Sequence, residues 1–324
     1  VGNPPYQVMD GGAGVSAVPI YHQFVEIAKK IKPNYISMIM PARWYAGGKG
    51  LDDFREHTLH DNSMKEIFDY FDSTYIFPQI DLSGGVCYFL YDSKYHGDCI
   101  INSFRNGIYN RMQRPLTVDG ENFIRFNEAI NIIKKVLPAI KKDNFSSLIS
   151  ARKPFGISTN EKIFEKEIKN GVFIYAYPQN GYIMRTNVTN NLSWIELNKV
   201  YISYAYGERG DFPYFAIGKP FIGATGTCCS ETYLVIHPSK HKKECINVIN
   251  YLRTKFLRFL VLLKKNTQHA TSKVYSFVPL QDFTSNSDID WSRSIGEIDA
   301  QLYEKYGLER DEIDFIERMI KPME

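Results

Sequence analysis

Asn3, Pro4, Pro5 and Tyr6 stand in a row: an amide, two residues with fixed φ and no backbone donor, and an aromatic ring. Neither proline can join a helix interior or a central strand ladder. The four residues therefore form either a plain surface loop or a rigid jig for something flat and polar. In the second case the chemistry is specific. The Asn3 amide oxygen and the Pro4 carbonyl both accept hydrogen bonds, and two acceptors converging on one nitrogen hold an amino group by both its protons. As that nitrogen attacks an electrophile its lone pair leaves conjugation, and the acceptors stabilise the positive charge that develops. Tyr6 offers a face on which the ring carrying the amine can stack. The set suits alkylation of an –NH2 on a planar group.

Ligands of open α/β sheets bind beyond the carboxyl ends of the strands, so such a turn needs a sheet behind it. The next residues predict one. Ile20, Phe24, Ile27, Ala28 and Ile31 recur at helical spacing over 18–31, with Glu26, Lys29, Lys30 and Lys32 mostly opposite. "YISMIMP" reads as a buried strand, and "ARWYAGGKG" as a flexible glycine loop. A helix over 51–59 begins with Asp52 and Asp53, which favour its amino end. "MKEIFDYFDSTYIF" reads as a strand with its turn and "GGVCYFLYD" as an adjacent strand. Helix, strand, helix, strand with short links means α/β.

The pattern changes around 93–100. Beyond it the spacing predicts a long helix over 122–142, aromatic-rich strands at 172–177, 181–185 and 200–206, and a strand "ETYLVIHP". One helix carries Ile249, Leu252, Phe256, Phe259 and Leu263 at 3-4-3-4 spacing, a polar loop covers 284–293, and a last helix runs from Glu309 to before Pro322. The expected division is a partial catalytic domain over 1–95 and a mixed second domain over 96–324. A doubly wound sheet normally holds two βαβαβ halves, and only one is found here.

A net charge of +3 demands no nucleic acid overall, so any basic surface must come from local clustering. The 14% aromatic content, 22 Tyr and 21 Phe, serves cores first and base stacking second. Five cysteines without a C-x-x-C pair predict reduced thiols and a cytoplasmic location. Seven scattered histidines predict no structural zinc. The longest apolar run, around 256–263, is broken by Arg258 and falls far short of the roughly 20 residues of a membrane span.

With its surroundings, N-P-P-Y resembles the TaqI-like (gamma-type) adenine-specific DNA methyltransferases of restriction–modification systems. "PIYHQFVEIAKKIKPNYISMIMPARWY" is similar to the family's next blocks, a helix ending in K-P and a strand ending in P-x-x-W. "YIFPQIDLSGGVCYF" resembles the block where Phe-Pro precedes a small-residue strand. The likeness covers 1–92, with weaker echoes in "KPF", "TYLVI", "FLRFLVLLKK" and "FVPLQDF". It implies the C-terminal half of a Rossmann-like methyltransferase sheet followed by a mixed α+β target-recognition domain. It implies S-adenosylmethionine as methyl donor and direct transfer to the exocyclic amine of a flipped adenine, with no covalent enzyme intermediate. Asn3, Pro4, Pro5 and Tyr6 then hold the base, Phe77 stacks on its other face, and Phe24 lines the donor's adenine, although core packing suits Phe24 equally. The family's donor-binding parts precede N-P-P-Y, so the chain is expected to be a fragment that binds the donor poorly alone. "GGAG" at 11–14 reads as a flexible loop near the site rather than a donor-binding turn.

The resemblance also implies double-stranded DNA as partner, with a restriction subunit or a fused nuclease beside it; no nuclease carboxylate cluster is evident in the sequence. Candidate DNA contacts are Arg105, Arg111 and Arg114 in "RNGIYNRMQR", Arg152 and Lys153 in "ISARKPFG", and Arg253 and Arg258 on the late helix, for which a solvated face is an equal reading. Two rivals remain: a protein-glutamine methyltransferase, whose acceptor is also a flat amide, and a non-enzymatic DNA-specificity module.

Overall fold

The computed structural model describes residues 1–8, 18–80, 82, 84–207, 212–265 and 268–323; Gly11–Gly14 lie outside them. The chain forms two compact units, Val1–Ile130 and Asn131–Glu324.

In the first unit β1 (Gln7–Val8) and β2 (Val18–Pro19) make a short antiparallel ribbon that leads into α1 (Tyr21–Lys30). There follow β3 (Tyr35–Pro41), a 3-10 turn at Ala42–Ala46, α2 (Asp52–Leu59), β4 (Met64–Tyr70) and β5 (Val86–Asp92). A hairpin of β6 (Cys99–Arg105) and β7 (Ile108–Arg114) completes a five-stranded sheet in the order β3-β5-β4-β6-β7. β5 is antiparallel to both β3 and β4, while β6 joins β4 in parallel. The unit therefore runs past the expected boundary at 95, because β6 and β7 are bonded into the same sheet. Their turn, Asn106-Gly107, has both φ values positive, as a two-residue hairpin turn requires.

One face of this sheet, with Ile36, Met40, Ile67, Cys87, Phe89 and Ile101, packs on α1 and α2 through Tyr21, Val25, Phe54 and Leu59. α1 is rotated from the expected phase. Tyr21, Val25 and Ala28 point inward, and Phe24, Ile27 and Ile31 are exposed. Both stripes are apolar, so periodicity alone does not choose between them, and the bulk of Tyr21 takes the core.

α3 (Ala129–Lys142) begins in the last two residues of the first unit and runs into the second; its first turn starts seven residues later than predicted. The strands of the second unit are β8 (Gly171–Tyr175), β9 (Gly181–Met184), β10 (Asn198–Ser203), β11 (Phe221–Gly223), β12 (Thr227–Cys229) and β13 (Tyr233–Ser239). They form two three-stranded sheets, β11-β10-β13 and β12-β8-β9. The single late helix of the prediction is two: α4 (Lys242–Arg253) and α5 (Lys255–Lys264). Thr254 breaks them with an extended backbone, its hydroxyl accepting from the Leu257 amide at 3.2 Å. Asp299 accepts from the Lys255 and Phe256 amides, both at 2.9 Å, and so caps α5 from α6 (Ile295–Lys305). α7 (Arg310–Met319) ends the fold near where it was expected.

Candidate active site

Gly2 fixes where the Asn-Pro-Pro-Tyr turn emerges. Its amide donates to Ser37 O at 2.9 Å and its carbonyl accepts from Ile39 N at 3.1 Å, a parallel bridge to β3. The turn consequently leaves at the carboxyl end of β3, where ligands of such sheets bind. Since β5 runs antiparallel to β3 and β4, the loop between β4 and β5 comes out at that same end. Phe77 lies on that loop.

Pro4 is buried, Asn3 and Pro5 are exposed, and Tyr6 is half-buried. The exposed Asn3 side chain has no hydrogen-bond partner among the described residues. Tyr6 O accepts from Ile20 N at 3.2 Å, tying the exit of the turn to the start of α1. The Tyr6 hydroxyl is buried, and burial together with nearby Cys87 raises its pKa. Cys87 also receives the Trp44 indole N–H at 3.3 Å. Burial pushes its thiol up to about 12, which removes it as a nucleophile at neutral pH. All five cysteines are buried, and burial raises the pKa of each thiol.

Phe77 is half-buried beside exposed Tyr75 and Ile80. Among the described residues no ring pairing joins it to Tyr6; the two approach the same end of the sheet from different segments. Phe24 is 40% exposed and belongs to the outward stripe of α1, which removes the core reading and leaves its ring accessible.

The basic residues divide sharply. Arg105 is buried, facing Glu128 at 3.9 Å with its guanidinium 4.7 Å from the Phe126 ring centre. Arg114 is buried and donates to Asn127 Oδ1 at 2.9 Å and to the Pro115 and Ile124 carbonyls; burial lowers its pKa to about 10. Arg258 is wholly buried, donating to the Arg253, Thr254 and Lys321 carbonyls at 2.7–3.1 Å, where it satisfies the end of α4. These three brace the fold and do not present charge to a phosphate. The reason is local: two sit at inward positions of alternating strands, and one stands where a helix break leaves carbonyls unpaired. Arg253 is half-buried. Arg111 is exposed on β7. Arg152 and Lys153 are exposed and flank Glu231 at 2.9 and 3.6 Å, with Arg152 4.9 Å from the Tyr204 ring centre. The Thr159 amide and these two cations hold the Glu231 carboxyl below its usual range. The candidates left for a basic surface are Arg111, Arg152 and Lys153, with Arg253 partly accessible.

Two groups escaped the sequence reading. Arg125 forks onto Asp69 (Nε to Oδ2 2.8 Å, Nη2 to Oδ1 2.7 Å) and donates from Nη1 to Gly84 O at 2.8 Å. Ser73, buried at the start of the Phe77 loop, bonds across it. A carboxylate at an inward position of "MKEIFDY" was a legible signal, since a buried Asp needs a partner. Nothing in the sequence named Arg125 as that partner.

Residues 1–77 match the family model of the Eco57I restriction-modification methylase. The chain resembles adenine-specific methylases of restriction–modification systems. It is 36% identical over 106 residues to an "Uncharacterized adenine-specific methylase" of Mycoplasma pneumoniae (strain ATCC 29342 / M129 / Subtype 1), covering 32% of this chain and 25% of that protein. The chain thus spans a quarter of that relative's length. Among solved structures it is similar to the type IIG restriction endonuclease BpuSI (TM-score 0.36, 12% identity, 87% of this chain and 44% of that one). It is also similar to the type IIL restriction-modification enzyme MmeI in complex with DNA (TM-score 0.46, 10% identity, 99% and 51%). Structural likenesses this slight fix neither fold nor function. Among the described residues no helix is long and apolar enough to cross a membrane.

Proposed function

We propose that this chain holds and orients the target base in an adenine-specific DNA methyltransferase of a restriction–modification system, and that its second unit contacts the DNA. The observation that carries the reading is the Gly2 bridge to β3, which delivers Asn3–Tyr6 to the same sheet end as the Phe77 loop. The five-stranded sheet is then the carboxyl half of a methyltransferase sheet. The amine of a paired, stacked adenine cannot enter such a site, so the base is flipped out at a cost of a few kcal/mol, and stacking returns about 1–3 kcal/mol per base. Tyr6 and Phe77 supply the two faces. Asn3 Oδ1 and the Pro4 carbonyl accept the two amine protons, and aim the nitrogen lone pair at the incoming carbon. On methylation the amine gives up one proton, which passes to solvent.

S-adenosylmethionine supplies that electrophilic methyl on a sulfonium. Of this chain's residues, Phe24 fits its adenine, because the ring is accessible and free of the core. Arg111, Arg152 and Lys153 are the proposed phosphate contacts, which position the duplex without reading its sequence.

The reading is tested on the complete natural protein with methyl-labelled donor and a mixture of duplex DNA and cell protein. Label recovered in N6-methyladenine supports it; label in protein glutamine, or duplex binding without transfer, replaces it.

A further inference from the structure

The Phe77 loop is too exposed for packing to hold it, with Tyr75 57% and Ile80 49% accessible. Hydrogen bonds hold it instead, and they form a closed circuit. Ser73 O accepts from Phe77 N at 2.8 Å, Phe77 O accepts from Ile80 N at 2.9 Å, and Ile80 O accepts from the Ser73 hydroxyl at 2.7 Å. The same hydroxyl accepts from Leu82 N at 2.8 Å. Ser73 thus satisfies both its lone pair and its proton inside the loop, while its carbonyl grips the residue that matters.

The far end is pinned separately. Arg125 clamps Gly84 O while its fork to fully buried Asp69 anchors it to β4, and its guanidinium lies 3.9 Å from the Phe71 ring centre. Next to it, Gly85 has φ +80°, and a Cβ there would stand 2.0 Å from Tyr70 O, so no other residue fits without moving the backbone. Gly85 O also accepts from Ala42 N at 3.0 Å, joining this end of the loop to the end of β3.

We propose that Ser73 and the Asp69–Arg125 pair are positioning residues that fix Phe77 as the second wall of the base site. They touch no substrate; they act through Phe77. This rests on the proposed role of the site, and its test separates the two.

In the chain itself, Ser73→Ala should speed hydrogen exchange of the Phe77 and Leu82 amides about tenfold, the scale of losing one or two hydrogen bonds, and Ser73→Thr should restore much of the protection. Unchanged exchange overturns the pin whatever the protein catalyses. In the complete protein, Ser73→Ala should lower kcat for adenine methylation about tenfold with little change in KM for DNA. In a Phe77→Ala background the same change should cost less than about twofold. Equal losses in both backgrounds overturn action through Phe77. A Phe77→Ala protein with full activity also overturns it, through the role of Phe77 rather than through the pin. Arg125→Lys, which keeps the charge and loses the fork, should behave as Ser73→Ala does.

Discussion

In the first unit Arg125 is half-buried against a fully buried carboxylate; in the second, Lys199 is wholly buried against neutral oxygens. Its Nζ donates to the Ile195, Ala224 and Thr227 carbonyls at 3.0–3.4 Å, and no carboxylate lies within ion-pair distance among the described residues. The consequences differ. The Arg125 fork meets an opposite charge in fixed geometry, and it aims a third donor at the loop that carries Phe77. Lys199 gathers carbonyls around the start of β12 and pays for its charge with nothing but dipoles, so burial lowers its pKa to about 8. One cation braces the loop that carries Phe77 and the other staples a scaffold.

The largest effect should come from Arg125→Met, which strands Asp69 as an uncompensated buried charge. We expect a loss of about 3–5 kcal/mol of unfolding free energy by denaturant titration. A loss below about 1 kcal/mol would mean that Asp69 is not committed to that partner. Lys199→Met should cost less, about 1–3 kcal/mol near neutral pH, from carbonyls left without a donor. Its sign with pH is the sharper test. A folded pKa of about 8 lies below the ordinary 10.5, so between those values the unfolded chain binds more protons and the wild type gains stability as pH rises. The gap between wild type and Lys199→Met should therefore widen by roughly 1–2 kcal/mol from pH 7.5 to 9.5. A gap that narrows would show an ammonium stabilised rather than penalised by its cage. The smallest effect on stability belongs to Arg111→Ala, within about 0.5 kcal/mol for an exposed side chain. The same change should reduce the slope of log affinity for duplex against log salt by about 1. An unchanged slope removes Arg111 from the phosphate contacts.

The sequence made β3, β4 and β5 and both helices of the first unit legible, because continuous apolar runs and proline punctuation act locally. It misjudged where side chains point. Phe24 was placed with the apolar face of α1 and turns outward, since two apolar stripes compete there and only the sheet decides. Arg105, Arg114 and Arg258 read as surface charge by composition, yet strand alternation and a helix break bury them. Two missed elements had local signals. Asn106-Gly107 is a strong hairpin turn, and Ser294 with Glu297 forms the capping box that starts α6. The pairing of Asp69 with Arg125 had none, for it joins residues 56 apart.

The central claim is that Asn3 and Pro4 hold an adenine amine. Its most direct test is Asn3→Ala in the complete protein, assayed for methyl transfer to duplex adenine and for duplex affinity together. Removing one of two acceptors that bind developing charge should lower transfer by roughly a hundredfold or more while duplex affinity stays within about twofold. Transfer that survives the substitution undiminished would contradict the account.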